Sequence, residues 1–156
     1  MTWLFDVNVL IAIADSSHIF HQAIHGWLTT RLAIGEEQTW ASCPITENGM
    51  IRVLSQPGYR GGTRTPAEAI GTLRRMKDAR PWKHVFWADG FSIADGSLTG
   101  RGAILAERIA GARQVTDVYL AALALRRAGR LVTFDTGVAW QAVQGGSRDL
   151  IEVPAL

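Results

Sequence analysis

Apolar residues run along this chain in two rhythms. Short continuous runs such as Thr2-Trp3-Leu4-Phe5 and Leu131-Val132-Thr133-Phe134 have the length and side-chain types of buried strands. Longer stretches repeat their apolar positions every three to four residues; Ile24, Trp27 and Leu28 thereby share one side of a helix. The pattern predicts strands over 2–5, 38–42, 84–87, 130–134 and 150–153. It predicts helices over 9–14, 18–32, 44–54, from 66 to about 77, over 104–109, and from Thr116 to residue 128. Punctuation supports the boundaries. Pro44 stands in the first turn of its helix, Thr65-Pro66-Ala67-Glu68 has the form of a capping box with Pro at N1, Thr116 is placed as a cap and Gly129 as a stop. Residues 57–63 and 95–102 read as surface loops. Strands alternating with helices specify an α/β fold with a mostly parallel sheet, and such sheets gather their ligands at the carboxyl ends of the strands.

Composition narrows the class. At 156 residues and 17.0 kDa, with 47% apolar and 19% charged residues, the chain suits one domain over 1–156, and disorder or a coiled coil is disfavoured. No internal repeat breaks it up. Cys43 is the only cysteine, which excludes an intrachain disulfide. Asp6 and Asn8 interrupt the first apolar run and no basic segment precedes it, so neither a signal peptide nor a membrane span is expected. The expected location is the cytoplasm. Sixteen basic residues face fourteen acidic ones, a formal charge of +2, and fourteen of the sixteen are arginine. That balance alone does not mark a nucleic-acid binder. It does make acids embedded in apolar runs conspicuous.

Four acids stand in similar places. Asp6 follows the first strand run and Asp135 follows the run ending at Phe134. Glu47 lies in the first turn of the helix after the second strand, and Asp117 in the first turn of the Thr116 helix. On neighbouring parallel strands, all four converge at one edge. Carboxylates so placed raise one another's pKa, and a divalent cation relieves the conflict. Hard oxygen ligands without an accompanying Cys or His set favour Mg²⁺, or Mn²⁺, over Zn²⁺. Each acid taken singly also suits a helix cap or a dipole partner, and periodicity does not bring the four together in space. Both readings stand at this point.

The motifs around these acids carry a resemblance. Phe5-Asp6-Val7-Asn8-Val9-Leu10-Ile11 resembles the first acidic motif of PIN-domain nucleases, and the stretch from Pro44 to Ser55 with Glu47 resembles the second. Gln114-Val115-Thr116-Asp117-Val118-Tyr119-Leu120 is similar to the third, and Leu131-Val132-Thr133-Phe134-Asp135 to the fourth. The ordered set spans nearly the whole chain, and its length is similar to that of single-domain VapC toxins. The resemblance implies a three-layer α/β/α sandwich and a Mg²⁺-dependent endoribonuclease that hydrolyses RNA phosphodiesters with a metal-activated water. It implies Asp6, Glu47, Asp117 and Asp135 as the catalytic, metal-binding set, with Asp6 and Asp117 as direct ligands. Glu47 and Asp135 then act through waters or a second ion. Asn8 and Thr116 would orient carboxylates or water, although Asn8 equally suits a helix cap. Thr136 stands where the family often has a basic residue. The implied partners are RNA, a VapB-like antitoxin and a second copy in a homodimer, growing to a toxin–antitoxin hetero-oligomer. The alternative is a catalytically silent PIN-fold module acting in a complex that regulates transcription. A phosphatase of the haloacid dehalogenase type would need Asp where this chain has Asn8.

Other features have plainer explanations. His18, His21 and His25 share a helical face, but no Cys or acid completes a zinc set. Arg126, Arg127 and Arg130 suit a helix C-terminus. Arg74, Arg75, Lys77 and Arg80 form a second basic cluster, a candidate for an RNA path. Trp82 and Trp87 fit half-buried core better than base-stacking, and Asp89 and Asp95 fit loop caps.

Overall fold

A computed structural model describes residues 1–35, 37–95 and 99–155. Its strands are β1 (Thr2–Phe5), β2 (Thr39–Ser42), β3 (Lys83–Phe86), β4 (Arg130–Val132) and β5 (Ile151–Glu152). They form one sheet in the order β3-β2-β1-β4-β5, with every pairing parallel. The helices are α1 (Val7–Ala14), α2 (His21–Ala33), α3 (Pro44–Leu54), α4 (Pro66–Asp78) and α5 (Val115–Arg126). Side chains alternate across each strand, and that alternation builds two cores. Trp3, Phe5, Trp40 and Val132 point to one face, where Leu10, Ile24, Met50 and Leu73 of α1 to α4 cover them. Leu4, Ala41 and Leu131 point to the other, against α5. Eight consecutive residues of α5, Val118 to Leu125, are buried, because the sheet takes one side of this helix and the chain between Val138 and Leu150 takes another. The result is the expected three-layer α/β/α sandwich.

The strand order explains where a ligand can enter. From β1 the chain winds outward through β2 to β3, then returns to lay β4 and β5 on the opposite side of β1. The reversal opens a crevice at the carboxyl ends of β1 and β4, the topological switch point of such sheets.

Several boundaries differ from the sequence pattern, each for a local reason. Helix α1 begins two residues earlier than expected because Asp6, rather than Asn8, caps it: the Val9 N–H donates to the Asp6 carboxylate at 2.7 Å. Helix α2 starts at His21, since the chain from His18 to Phe20 forms turns. The helix expected over 104–109 is only a single 3-10 turn, Ala106–Arg108. Thr116 does not cap α5; the preceding 3-10 turn Ala112–Gln114 runs straight into the helix and places Thr116 inside its first turn. Strand β4 ends at Val132, so Asp135 sits in the turn beyond the strand. In the loop expected over 95–102, residues 96–98 lie outside the described residues.

Just past the C-cap Arg127 of α5 stands Ala128, the one non-glycine residue with a positive φ, 53°, among the described residues. Gly129 follows, its N–H donating to the Ala124 carbonyl at 2.9 Å as in a Schellman closure. A Cβ on Gly129 would meet the Thr2 carbonyl oxygen at 2.7 Å and the Trp87 ring at 2.6 Å. Glycine is therefore needed for the close approach of this turn to β1. Gly129→Ala is expected to cost about 1–3 kcal/mol as an overpacked site, read as a lower denaturation midpoint with an unchanged slope. An unchanged midpoint would contradict that packing.

Candidate functional site

The site begins with one buried carboxyl group. Asp6 lies between β1 and α1 and is only 6% exposed. Its backbone continues the sheet, with its N–H donating to the Val132 carbonyl at 3.1 Å. Its side chain caps α1, and the Thr133 hydroxyl also bonds it. Burial pushes the Asp6 pKa up to about 6 despite these hydrogen bonds, and the charge of Asp117 adds to the rise. Asp117, in the first turn of α5, is half-buried. Burial raises its pKa to about 6 as well, with the charge of Asp135 as the second cause. Asp135 is exposed and shapes its own turn by accepting from the Gly137 N–H at 2.7 Å. Asp6, Asp117 and Asp135 thus form one electrostatically linked row at the switch-point crevice.

Thr133 ties this row together and was not singled out from the sequence. It is 1% exposed, its hydroxyl reaches Asp6, and the same oxygen accepts from the Asp135 N–H at 3.0 Å. The signal was a hydroxyl residue inside an otherwise apolar run, two positions before an acid.

Glu47 stands apart from the row. Helices α1 and α3 cross closely because Gly49 leaves room for Val7; a Cβ there would lie 2.5 Å from a Val7 methyl. That brings the first turns of both helices to the same edge of the sheet. Yet the Glu47 carboxylate is held elsewhere: Lys77 Nζ of α4 is 2.5 Å from Oε1, and Ser42 Oγ donates to the same oxygen at 2.5 Å. His84 Nε2 in β3 lies 2.8 Å from Ser42 Oγ. Burial, helped by the charge of Lys77, lowers the His84 pKa to about 4. The ring is therefore neutral at pH 7 and donates its Nε2–H to the serine. Lys77, Ser42 and His84 come from three separate elements, so no short sequence spacing announced them.

The remaining candidates take minor places. Asn8 and Thr116 are exposed; the Asn8 N–H contributes to the field at Asp6. His21 Nδ1 donates to the Ala12 carbonyl at 2.7 Å and His25 Nε2 reaches the Ile13 carbonyl at 3.4 Å, so both serve the open end of α1. Trp82 and Trp87 are core residues, 7% and 8% exposed. Met50 and Leu54 are fully buried rather than surface for a partner, and Trp27 donates to Glu152 at 2.8 Å.

Among the described residues, no three His, Cys, Asp or Glu side chains stand close enough to enclose a metal ion by themselves. The chemistry of the linked row still fits a hard cation. Asp6, Asp117 and the Thr133 hydroxyl offer oxygen donors only, and Mg²⁺ commonly takes one or two carboxylates while keeping its waters. The raised carboxyl groups are the strain that such a charge would relieve.

The family model of the PIN domain matches residues 3–143. Ribonuclease VapC44 of Mycobacterium tuberculosis (strain H37Rv) is 41% identical over 148 residues, which cover 95% of this chain and 96% of that protein. Ribonuclease VapC39 of the same strain is 40% identical over 153 residues, 98% of this chain and 99% of its own length. Ribonuclease VapC38 is 40% identical over 141 residues, 90% of each.

The raised carboxyl groups have a measurable consequence in metal-free protein. A folded-state pKa of about 6 for Asp6, above its ordinary 3.8, means that folding favours the protonated form. Stability from this group is present below about pH 4 and is lost as pH rises through about 6. Asp6→Asn keeps a good cap and removes the buried charge. In EDTA it is expected to raise the melting temperature at pH 7.5 by a few degrees, on the order of 1–2 kcal/mol, with the difference shrinking toward pH 4. A lower melting temperature at pH 7.5 would show that the carboxylate is stabilising where it lies.

Proposed function

Because the chain belongs to the PIN-domain family and, within it, to the VapC branch, we propose that it is the endoribonuclease toxin of a VapBC-type toxin–antitoxin pair, dependent on Mg²⁺. The observation that carries the reading is the linked row of Asp6, Asp117 and Asp135, two of its members pushed to about pKa 6 beside the crevice where β1 and β4 part. Relatives named as ribonucleases at about two-fifths identity over nearly the full chain support the reaction class.

The residues divide the work. Asp6 and Asp117 would hold the cation, with Thr133 fixing the Asp6 carboxyl. When bound, Mg²⁺ supplies a nucleophilic water at neutral pH and neutralises charge on the scissile phosphate; Mn²⁺ could replace it. Asp135, exposed at the rim, would orient the incoming water by accepting a hydrogen bond from it. Glu47 keeps a fixed position through Lys77 and Ser42, where it can act through solvent on the same side of the phosphate. Asn8 and Thr116, both exposed, would orient carboxylates or water. In the same reading residues 1–156 form a single domain that works in the cytoplasm as a homodimer and is restrained in a larger complex with a VapB-like antitoxin. Among the described residues, no helix is long and apolar enough to cross a membrane.

Purified protein is expected to cleave RNA with Mg²⁺, to stop in EDTA, and to resume when Mg²⁺ is restored. Asp6→Asn removes a direct ligand and should lower the rate by at least about 100-fold, the upper end of what losing a residue behind a metal ligand costs. Cleavage by Asp6→Asn at the wild-type rate would overturn the assignment.

A further inference from the structure

We propose that the substrate RNA strand crosses the free edge of β3, with one base stacked on Phe86 and the adjoining phosphate taken by Lys77; this deepens the ribonuclease reading and rests on it. Phe86 is 52% exposed, and no other aromatic stands among the exposed large apolar side chains of the described residues. It occupies the carboxyl end of β3 and pairs in register with Ser42, the residue that bonds Glu47. Lys77 Nζ lies 5.6 Å from the centre of the Phe86 ring while also holding Glu47 at 2.5 Å. One lysine thus joins the aromatic platform to the acidic site. Its ammonium has three donors, enough to keep Glu47 and bind a phosphate together.

The edge otherwise has the features an RNA strand needs. Acids repel phosphates, so a strand must find cations and a π-face beside them. Arg74, Arg75 and Arg80 are exposed around the end of α4 that carries Lys77. Trp82 and Trp87 are too buried to stack a base, which leaves the exposed ring between them. An exposed strand edge can also accept a strand from another protein, but the cationic flank favours a polyanion.

The test uses labelled single-stranded RNA, the Asp6→Asn protein to prevent cleavage, and fluorescence anisotropy in Mg²⁺. Phe86→Ala is expected to raise Kd about fivefold or more, the scale of one lost stack, and Phe86→Trp to restore it. Lys77→Met should weaken binding and flatten the salt dependence by about one phosphate contact. In the cleaving protein, Phe86→Ala should raise KM and leave kcat nearly unchanged. Binding within twofold of the parent for Phe86→Ala, or an unchanged salt dependence for Lys77→Met, would overturn the proposal while leaving the ribonuclease reading intact. So would a Phe86→Ala protein that changes its mass in solution but not its RNA affinity, since the edge would then serve another protein strand. If the unsubstituted chain neither binds nor cleaves RNA in Mg²⁺, the ribonuclease reading fails and this inference with it.

Discussion

A carboxyl group buried at the end of the central strand is costly to ionise, and much of this structure is arranged around that cost. Asp6 sits there because α1 starts at once after β1 and needs a cap, which the Asp6 side chain supplies to the Val9 N–H. Capping and the Thr133 hydroxyl lower the cost without removing it, and the pKa settles at about 6. The sheet then reverses direction around β1, so that elements far along the chain meet this group. One of them, the first turn of α5, brings a second half-buried carboxyl instead of a counter-charge. The fold concentrates negative charge where it could have dispersed it, the arrangement expected of a working site and not of a stabilising network.

The site has two electrostatic ends. At the β1–β4 end, burial raises Asp6 and Asp117, and a neighbouring carboxylate adds to each rise, Asp117 for Asp6 and Asp135 for Asp117. At the β2–β3 end, Glu47 has an ammonium 2.5 Å away and a serine–histidine chain behind it. The first end can take a divalent cation; the second already has its own. Four similar acids in the sequence thus become three linked ones and one neutralised one. With a divalent cation held at the first end, a phosphate entering between the ends would meet positive charge from both.

The fold was legible because strand runs and helical periodicity are local, and the capping box at Thr65 holds as expected, with its Glu68 side chain accepting from the Thr65 N–H at 2.7 Å. Asp6 was legible too, since an acid ending an apolar strand is a local feature. The cap of α1 stayed open between Asp6 and Asn8, because both types suit that position and only backbone geometry separates them. Lys77 appeared in the sequence only as a member of a basic cluster. Its attachment to Glu47 joins residues thirty positions apart and depends on how α4 packs beside β3. Phe86 was hidden for a similar reason: the tryptophans on either side draw attention, and exposure on an edge strand is decided by which strand lies outermost.

The net charge of +2 now has a distribution. A short acidic row is set at the switch point, while arginines occupy the surface around α4 and the end of α5. Such a surface suits a polyanion around a small site that, in the proposed reading, takes a cation. Calorimetric titration of Mg²⁺ into the protein, run in buffers of different ionisation enthalpy from pH 5 to pH 8, tests that reading most directly. Binding should release protons near pH 6 and tighten as pH rises, because the cation must displace protons held by Asp6 and Asp117. Binding that releases no protons at any pH, or an absence of Mg²⁺ binding at pH 8, would contradict it.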